Sequence, residues 1–134
     1  MLRDIARLPS VRLISLQKHD GLDQIAALPS DMRVEELGDT FDPGPYAFVD
    51  TAAVMKCLDL VITCDTSVAH LAGALCSPTW LALMHAADWR WGESGDTTEW
   101  YSSVRLFRQS EMNAWEPVFA EMEGALREWR GAKS

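Results

Sequence analysis

The stretch LDLVITCDTSVAHLAGAL, residues 58–75, gives the clearest indication of the fold class of this chain. Its first half contains LVITC (60–64), an uncharged run with β-branched residues that predicts a buried strand. Its second half, SVAHLAGAL (67–75), spaces apolar residues along one face of a helix. A strand that passes directly into a helix is typical of α/β proteins with a parallel sheet. The predicted buried stripe of this helix comprises Val68, Leu71, Ala72 and Leu75.

The same alternation of strands and helices extends over the rest of the chain. Strands are predicted at 11–17, 32–37, 60–64, 79–84 and 104–109. Helices are predicted at 2–8, 21–28, 46–59, 67–75 and about 114–130. Five short apolar strands separated by helices predict an α/β fold, a Rossmann-like doubly wound parallel sheet of about five strands.

Composition limits the classes of protein to which this chain can belong. With 134 residues, 48% of them hydrophobic, it is long enough for one domain with its own core. Its net charge of −8 argues against binding to nucleic acid or to an anionic membrane surface. The start of the chain, MLRDIARLPS, lacks the apolar core of a signal peptide, and no stretch is typical of a membrane span. The three cysteines lie in apolar sequence and are expected to be buried free thiols in a reducing cytoplasm.

Polar residues gather where the strand at 60–64 turns into the next helix. Asp65, Thr66, Ser67 and His70 fall within six positions, more than a helix cap requires. In parallel α/β sheets, ligands bind beyond the carboxyl ends of the strands. A helix N-terminus there attracts phosphate through its free N–H groups and its dipole. The pattern therefore indicates a diphosphate site.

Other interpretations of these residues stay open. The simplest is a capped helix with a hydrogen-bonded histidine in its first turn. Asp65 repels phosphate, so it would orient backbone amides or His70, or accept a hydroxyl of a sugar or ribose. A triad of Asp65, Ser67 and His70 is disfavoured because such groups normally come from separate segments. A metal site of His70, His85 and Asp88 matches no usual ligand spacing.

At this point a resemblance to a known family becomes visible. The stretch DLVITCDTSVAHLAGAL (59–75), followed by PTWLALMHAADWRWGESGDTTEWYSSVRLFRQ (78–109), resembles the carboxyl-terminal region of family 9 glycosyltransferases. It looks closest to the bacterial domains fused to tetratricopeptide repeats, whose relatives are the heptosyltransferases. LISLQK (13–18) and FVDTAAVMKCLDLVI (48–62) match the same pattern, so the resemblance covers nearly the whole chain.

The resemblance implies the donor-binding half of a GT-B fold, with a nucleotide sugar as ligand and no metal or other cofactor. The base that takes the acceptor's proton would lie in the other, amino-terminal half. Arg90 would meet a phosphate or the acceptor, while Trp89 and Trp91 pack the long loop. By position, the residues that contact the donor diphosphate would be Asp65, Thr66, Ser67, Val68 and His70. Further possible donor contacts would be Gln17, Lys18, Asp50 and Arg90.

The same resemblance implies a single domain over residues 1–134 that lacks the acceptor half and the first strand of the donor half. We therefore expect the chain to bind a nucleotide sugar but to be inactive in sugar transfer on its own. A separate acceptor domain or self-association would complete it. The alternative is a non-catalytic binding or assembly module that has lost nucleotide binding and associates through an exposed sheet edge. A third possibility is that Met1 is an internal start and the chain a fragment.

Overall fold

The predicted strands all form, and each pairs with a parallel neighbour. A computed structural model describes residues 3–18 and 21–133. In these ranges the strands are β1 Leu13–Ile14, β2 Val34–Glu35, β3 Val61–Cys64, β4 Thr79–Leu83 and β5 Val104–Arg108. The helices are α1 Arg3–Ala6, α2 Leu22–Ala26, α3 Val49–Cys57, α4 Ser67–Ala74 and α5 Trp115–Lys133, with a short 3-10 helix at Trp89–Trp91. Residue 2 of the first predicted helix lies outside the described ranges.

The strands form two parallel sheets instead of one. β1 pairs with β2, whereas β4 lies between β3 and β5. The predicted α/β fold with parallel strands is thus confirmed, but a sheet of about five strands is replaced by sheets of two and three. β1 and β2 pair over only two residues each, and no pairing among the described residues joins either of them to β3.

Helices cover both faces of the three-stranded sheet. Successive side chains of a strand point to opposite faces, and apolar residues occur on both. On one face, Trp80 and Ala82 of β4 pack with Phe107 of β5 against buried residues of α1 and α5. On the other, Leu81 and Leu83 pack against Ala69 of α4 and against the loop that follows β4. A third cluster joins α3 to α4 and β3 through Met55, Val61 and Ala72.

The long carboxyl-terminal helix agrees with its predicted stripe. Val118, Met122 and Leu126 of α5 are buried in the first cluster. Trp115, Phe119 and Trp129 are partly buried against it. This stripe is core, as its helical spacing predicts.

Of the predicted buried stripe of α4, only Ala72 is fully buried. Ala69, Ala72 and Gly73 are its buried residues. Val68, Leu71 and Leu75 are only partly buried, at the cluster around Met55. Small side chains let the helix approach its neighbours closely, and the larger residues lie at the edge of this contact.

Two further findings bear on the expectations from composition. All three cysteines are free, as expected, but Cys57, Cys64 and Cys76 are exposed, so the prediction that they are buried is wrong. Apolar neighbours in sequence do not bury a side chain that falls on the outer side of a helix or turn. Among the described helices, none has the length and apolarity that a membrane crossing needs.

Candidate functional site

The N-terminus of α4 lies at the carboxyl end of β3, where the sequence predicts a site. β3 ends at Cys64, and Thr66 is the N-cap residue of α4, with an extended backbone (φ −142°). The Thr66 side chain forms no capping hydrogen bond. Its hydroxyl lies 3.4 Å from that of Thr63. The Thr66 hydroxyl therefore does not cap the helix, contrary to the simplest interpretation of the sequence. It is exposed and stays available to a ligand.

The first backbone amides of α4 are also available. Ala69 N–H donates to the Thr66 carbonyl at 3.0 Å. Within the described ranges, the amides of Ser67 and Val68 form no such bond. Unpaired N–H groups at the start of a helix point along its axis and favour an anion. The free amides of Ser67 and Val68 thus lie beside the exposed hydroxyls of Thr66 and Ser67 at one helix end.

His70 is held by two aromatic residues. Its Nδ1 lies 3.0 Å from the Tyr101 hydroxyl. Its ring stacks on Trp91, with centroids 5.2 Å apart and planes inclined by 25°. Asp65, in contrast, has no hydrogen-bond partner among the described residues, so Tyr101 and not Asp65 orients this histidine. Nε2 of His70 forms no hydrogen bond to any described residue, so it is available to a ligand.

Tyr101 occupies its position because residue 73 has no side chain. A β-carbon built on Gly73 would lie 2.5 Å from Cγ of Tyr101, far closer than real atoms approach. The glycine in the middle of α4 therefore serves close packing of the tyrosine ring, although it costs helix stability. Gly73 thereby determines the position of the hydroxyl that holds His70.

Arg108 of β5 holds the loop after β4 through three backbone carbonyls. The Arg108 guanidinium donates to the carbonyls of Gly95 at 2.8 Å and Gly92 at 3.0 Å, and also to that of Trp91. Burial lowers the pKa of Arg108 below its ordinary value. The Trp91 indole is almost fully buried, and its N–H has no partner among the described residues. The ring against which His70 stacks is therefore fixed.

Arg90 lies next to this cluster but already has an ion-pair partner. Its Nη1 contacts Asp88 at 2.8 Å, and its guanidinium lies 5.1 Å from the centre of the Trp89 ring. The backbone N–H of Arg90 is the main cause that holds the pKa of Asp88 below its usual range. Burial opposes this shift, while the Arg90 guanidinium and the charge of His70 add to it. Arg90 would have to exchange Asp88 for a phosphate in order to contact a ligand.

The second group of predicted contacts lies elsewhere. Gln17 and Lys18 follow β1 and line a cavity of about 280 Å³ together with the segment after β2. Carboxylates of Glu36 and Asp39 line the same cavity, which disfavours a phosphate there. Residues 65–70 are not part of this lining.

Asp50 has a structural role at the start of α3. Its carboxylate accepts the N–H of Asp42 at 2.8 Å, and Asp42 Oδ1 accepts the N–H of Asp50 at 2.8 Å. Asp42 also accepts the N–H and the hydroxyl of Thr51. Burial by itself raises the pKa of Asp42, but the Thr51 hydroxyl, the two amides and the charge of Lys18 together bring it below its usual value. These reciprocal bonds join the start of α3 to the loop that precedes it.

The structure therefore brings some of the predicted residues together and not others. Tyr101 is the important residue that sequence reasoning did not identify, and the glycine inside a helical pattern was the signal for it. No group of three metal-ligating side chains occurs within the described ranges. The residues that do meet are the first turn of α4, namely Thr66, Ser67, Val68 and His70, together with Trp91 and Tyr101.

Comparison with known proteins corrects the resemblance inferred from the motifs. The chain is 31% identical over 122 residues to Protein FlbA of Caulobacter vibrioides, a match that covers 90% of this chain and 20% of that protein. No protein-family model matches the chain, and no solved structure matches it. The assignment to family 9 glycosyltransferases is therefore wrong, because no such family matches and the relative found has no glycosyltransferase name. Short motifs at a strand–helix junction recur in unrelated α/β proteins, since the same geometry selects the same residue types.

Proposed function

We propose that this chain binds the diphosphate group of a nucleotide, with a nucleoside-diphosphate sugar as the ligand class, at the N-terminus of α4. The carrying observation is the uncapped start of this helix. The exposed hydroxyl of Thr66 makes no capping bond, and two free amides follow it. A bound diphosphate would accept hydrogen bonds from all of these groups and would be stabilised by the helix dipole.

His70 adds a donor whose position is set by the rest of the fold. With Nδ1 engaged by the Tyr101 hydroxyl at 3.0 Å, Nε2 would donate to a phosphate oxygen. The stacked Trp91 ring keeps the imidazole from rotating away. Asp65 would accept a hydroxyl of the sugar or ribose, because a carboxylate repels the phosphates themselves.

Charge at this site would be balanced by the chain itself. Amides, hydroxyls and the imidazole can hold a diphosphate without a metal ion. In this arrangement Nε2 of His70 donates to a phosphate and Asp65 accepts a hydroxyl of the ligand, so neither group is free to take a proton from an acceptor. We therefore expect the chain to bind the nucleotide sugar without transferring the sugar. The exposed free thiols support a reducing compartment such as the cytoplasm as its place of action.

Isothermal titration calorimetry tests the proposal. UDP, GDP, ADP and CMP are titrated into the full chain, and we expect micromolar binding of at least one diphosphate. His70→Ala and Thr66→Ala should each weaken that binding at least tenfold. Thr97→Ala is the matched control, because it removes an exposed threonine hydroxyl from the loop after β4. The proposal would be contradicted if no nucleotide bound, or if the His70→Ala and Thr66→Ala variants bound the nucleotide as tightly as the parent chain.

A further inference from the structure

The two sheets are separated by a groove between β1 and β3. Each of these strands pairs on one edge only, β1 with β2 and β3 with β4. Within the described ranges, no ladder forms on the second edge of either strand. A cavity of about 440 Å³ lies between them, lined by residues 10–14 on one side and 57–60 with Ile62 on the other. Ile5, Leu126, Trp129 and Arg130 complete its lining.

The unused backbone groups of both strands point into this groove. Ser15 N–H donates to the Glu35 carbonyl at 2.8 Å, so it faces β2. Successive amides alternate in direction along a strand, and the amides of Arg12 and Ile14 therefore face the groove.

On the opposite wall, the backbone amides of β3 alternate in direction in the same way. Val61 N–H donates to the Pro78 carbonyl at 2.9 Å and so faces β4. The amides of Leu60 and Ile62 consequently face the groove from the other side. The open edges of β1 and β3 thus both border this cavity, whose lining combines apolar side chains with the charged residues Arg12, Asp59 and Arg130.

Burial indicates that both walls lack a neighbour. Leu13, Ile14, Leu60 and Ile62 are apolar but only half-buried. All five residues of β4, which is paired on both edges, are buried. An apolar strand with one open edge exposes surface that a neighbouring strand would cover.

We propose that this groove receives one β-strand of a partner polypeptide, parallel to β1 and β3. The added strand would continue both existing ladders and produce a six-stranded sheet in the order β2–β1–partner–β3–β4–β5. Strand addition to open edges is an established mode of peptide recognition. Since helices cover both faces, the strand would carry apolar residues on both, as β4 does.

The occupant is a partner strand and not a second copy of the chain. Every described strand of this chain already pairs within its own sheet, so a second copy has no free strand to donate. A helix or a small apolar ligand would leave the backbone groups on both walls without hydrogen bonds, which is costly. The proposal does not depend on the diphosphate site, because no residue of 65–70 lines the groove.

Hydrogen exchange of the full chain, with and without a strand peptide, tests this proposal. The probe is a synthetic peptide that carries the buried sequence TWLAL (79–83) between terminal lysines. We expect saturable binding and at least tenfold slower exchange at the amides of Arg12, Ile14, Leu60 and Ile62. A peptide with N-methyl groups on alternate residues is the control, because its remaining N–H groups can donate hydrogen bonds to only one wall. Equal protection by the methylated peptide would overturn the proposal.

A proline substitution separates the groove from general stability. Ile14→Pro removes an N–H that faces the groove, and proline is tolerated on an open edge. We expect this variant to stay folded and to bind the strand peptide at least tenfold more weakly, whereas Ile14→Val stays within threefold of the parent chain. If Ile14→Pro fails to fold, Leu60→Pro removes the corresponding N–H from the opposite wall and provides the same test. Undiminished binding by the folded variants overturns the proposal, as does a dimer in sedimentation whose groove amides are already protected.

Discussion

β4 and β1 are both short apolar strands in parallel sheets, yet they end in different environments. β4 pairs with β3 on one side and β5 on the other, and its five residues, Thr79–Leu83, are all buried. β1 pairs only with β2, over Leu13 and Ile14, and neither residue is fully buried. The sequences VRLISLQ and TWLALM predict two similar strands.

This contrast indicates that the burial and length of a strand depend on its neighbours. A parallel strand with partners on both edges satisfies its backbone groups and buries both faces. With one open edge, the same kind of sequence pairs over two residues and leaves its remaining backbone groups to solvent or to another partner. We expect stability to follow this division, with the three-stranded sheet as the stable core.

The largest expected effect comes from removing the same side chain on each strand. Leu81 in β4 is completely buried, so Leu81→Ala should lower the free energy of unfolding by about 2–5 kcal/mol. Leu13→Ala in β1 should cost less than half as much, because Leu13 is only partly buried. Urea unfolding of both variants measures the two values. Equal losses would contradict this expectation and would indicate that both sheets contribute alike to the core.

A glycine exchange tests how α4 is held against the three-stranded sheet. A β-carbon at Gly73 would overlap the Tyr101 ring, so Gly73→Ala should destabilise the chain by about 1–3 kcal/mol through overpacking. The matched control is Gly124→Ala in α5, where nothing lies within 4 Å of the added carbon. That change should instead stabilise the helix by about 0.5–1 kcal/mol. Thermal unfolding of both variants gives the signs, and a stabilising Gly73→Ala would show that Tyr101 does not pack there.

The sequence predicts the elements of the fold better than their association. Strand and helix identities follow from local apolar periodicity, which is why the predicted strands form. The buried residues of α4 differ in part from the predicted stripe because Gly73 and Ala69 allow close packing, and this depends on Tyr101, far along the chain. The split between β1 and β3 is likewise a property of long-range pairing, which no local pattern encodes.

The candidate site shows the same limit. The first turn of α4 is predicted from the strand–helix junction, and there Thr66 and Ser67 are exposed as a site requires. The partner of His70 is 31 positions away, so spacing could not identify it. Asp50 and Asp42 each accept a hydrogen bond from the backbone N–H of the other. Apolar periodicity does not reveal such a contact between a loop and a helix.

An intermediate effect is expected at the loop that follows β2. The pKa of Asp42 is below its usual value in the folded chain, so its interactions stabilise the fold above about pH 3.9, the unfolded value. This contribution is lost as the pH falls through the lower, folded-state pKa. Asp42→Asn should therefore lower stability at neutral pH and flatten the decline in acid. Unfolding between pH 2 and pH 7 checks this, and parallel curves for parent and variant would contradict it.

The smallest expected effect concerns the ion pair that crosses the two-stranded sheet. Arg12 contacts Glu35 through two hydrogen bonds of 2.9 Å and 3.0 Å, and the Arg12 side chain is 74% exposed. Exposed pairs contribute little because water and salt screen them, so this contact cannot replace a missing strand neighbour. A double-mutant cycle of Arg12→Gln and Glu35→Gln should give a small favourable coupling at low salt that disappears near 1 M salt. A large, salt-resistant coupling would mean that β1 and β2 are held together by this pair, and the difference between the two sheets would then lie in charge and not in the number of paired edges.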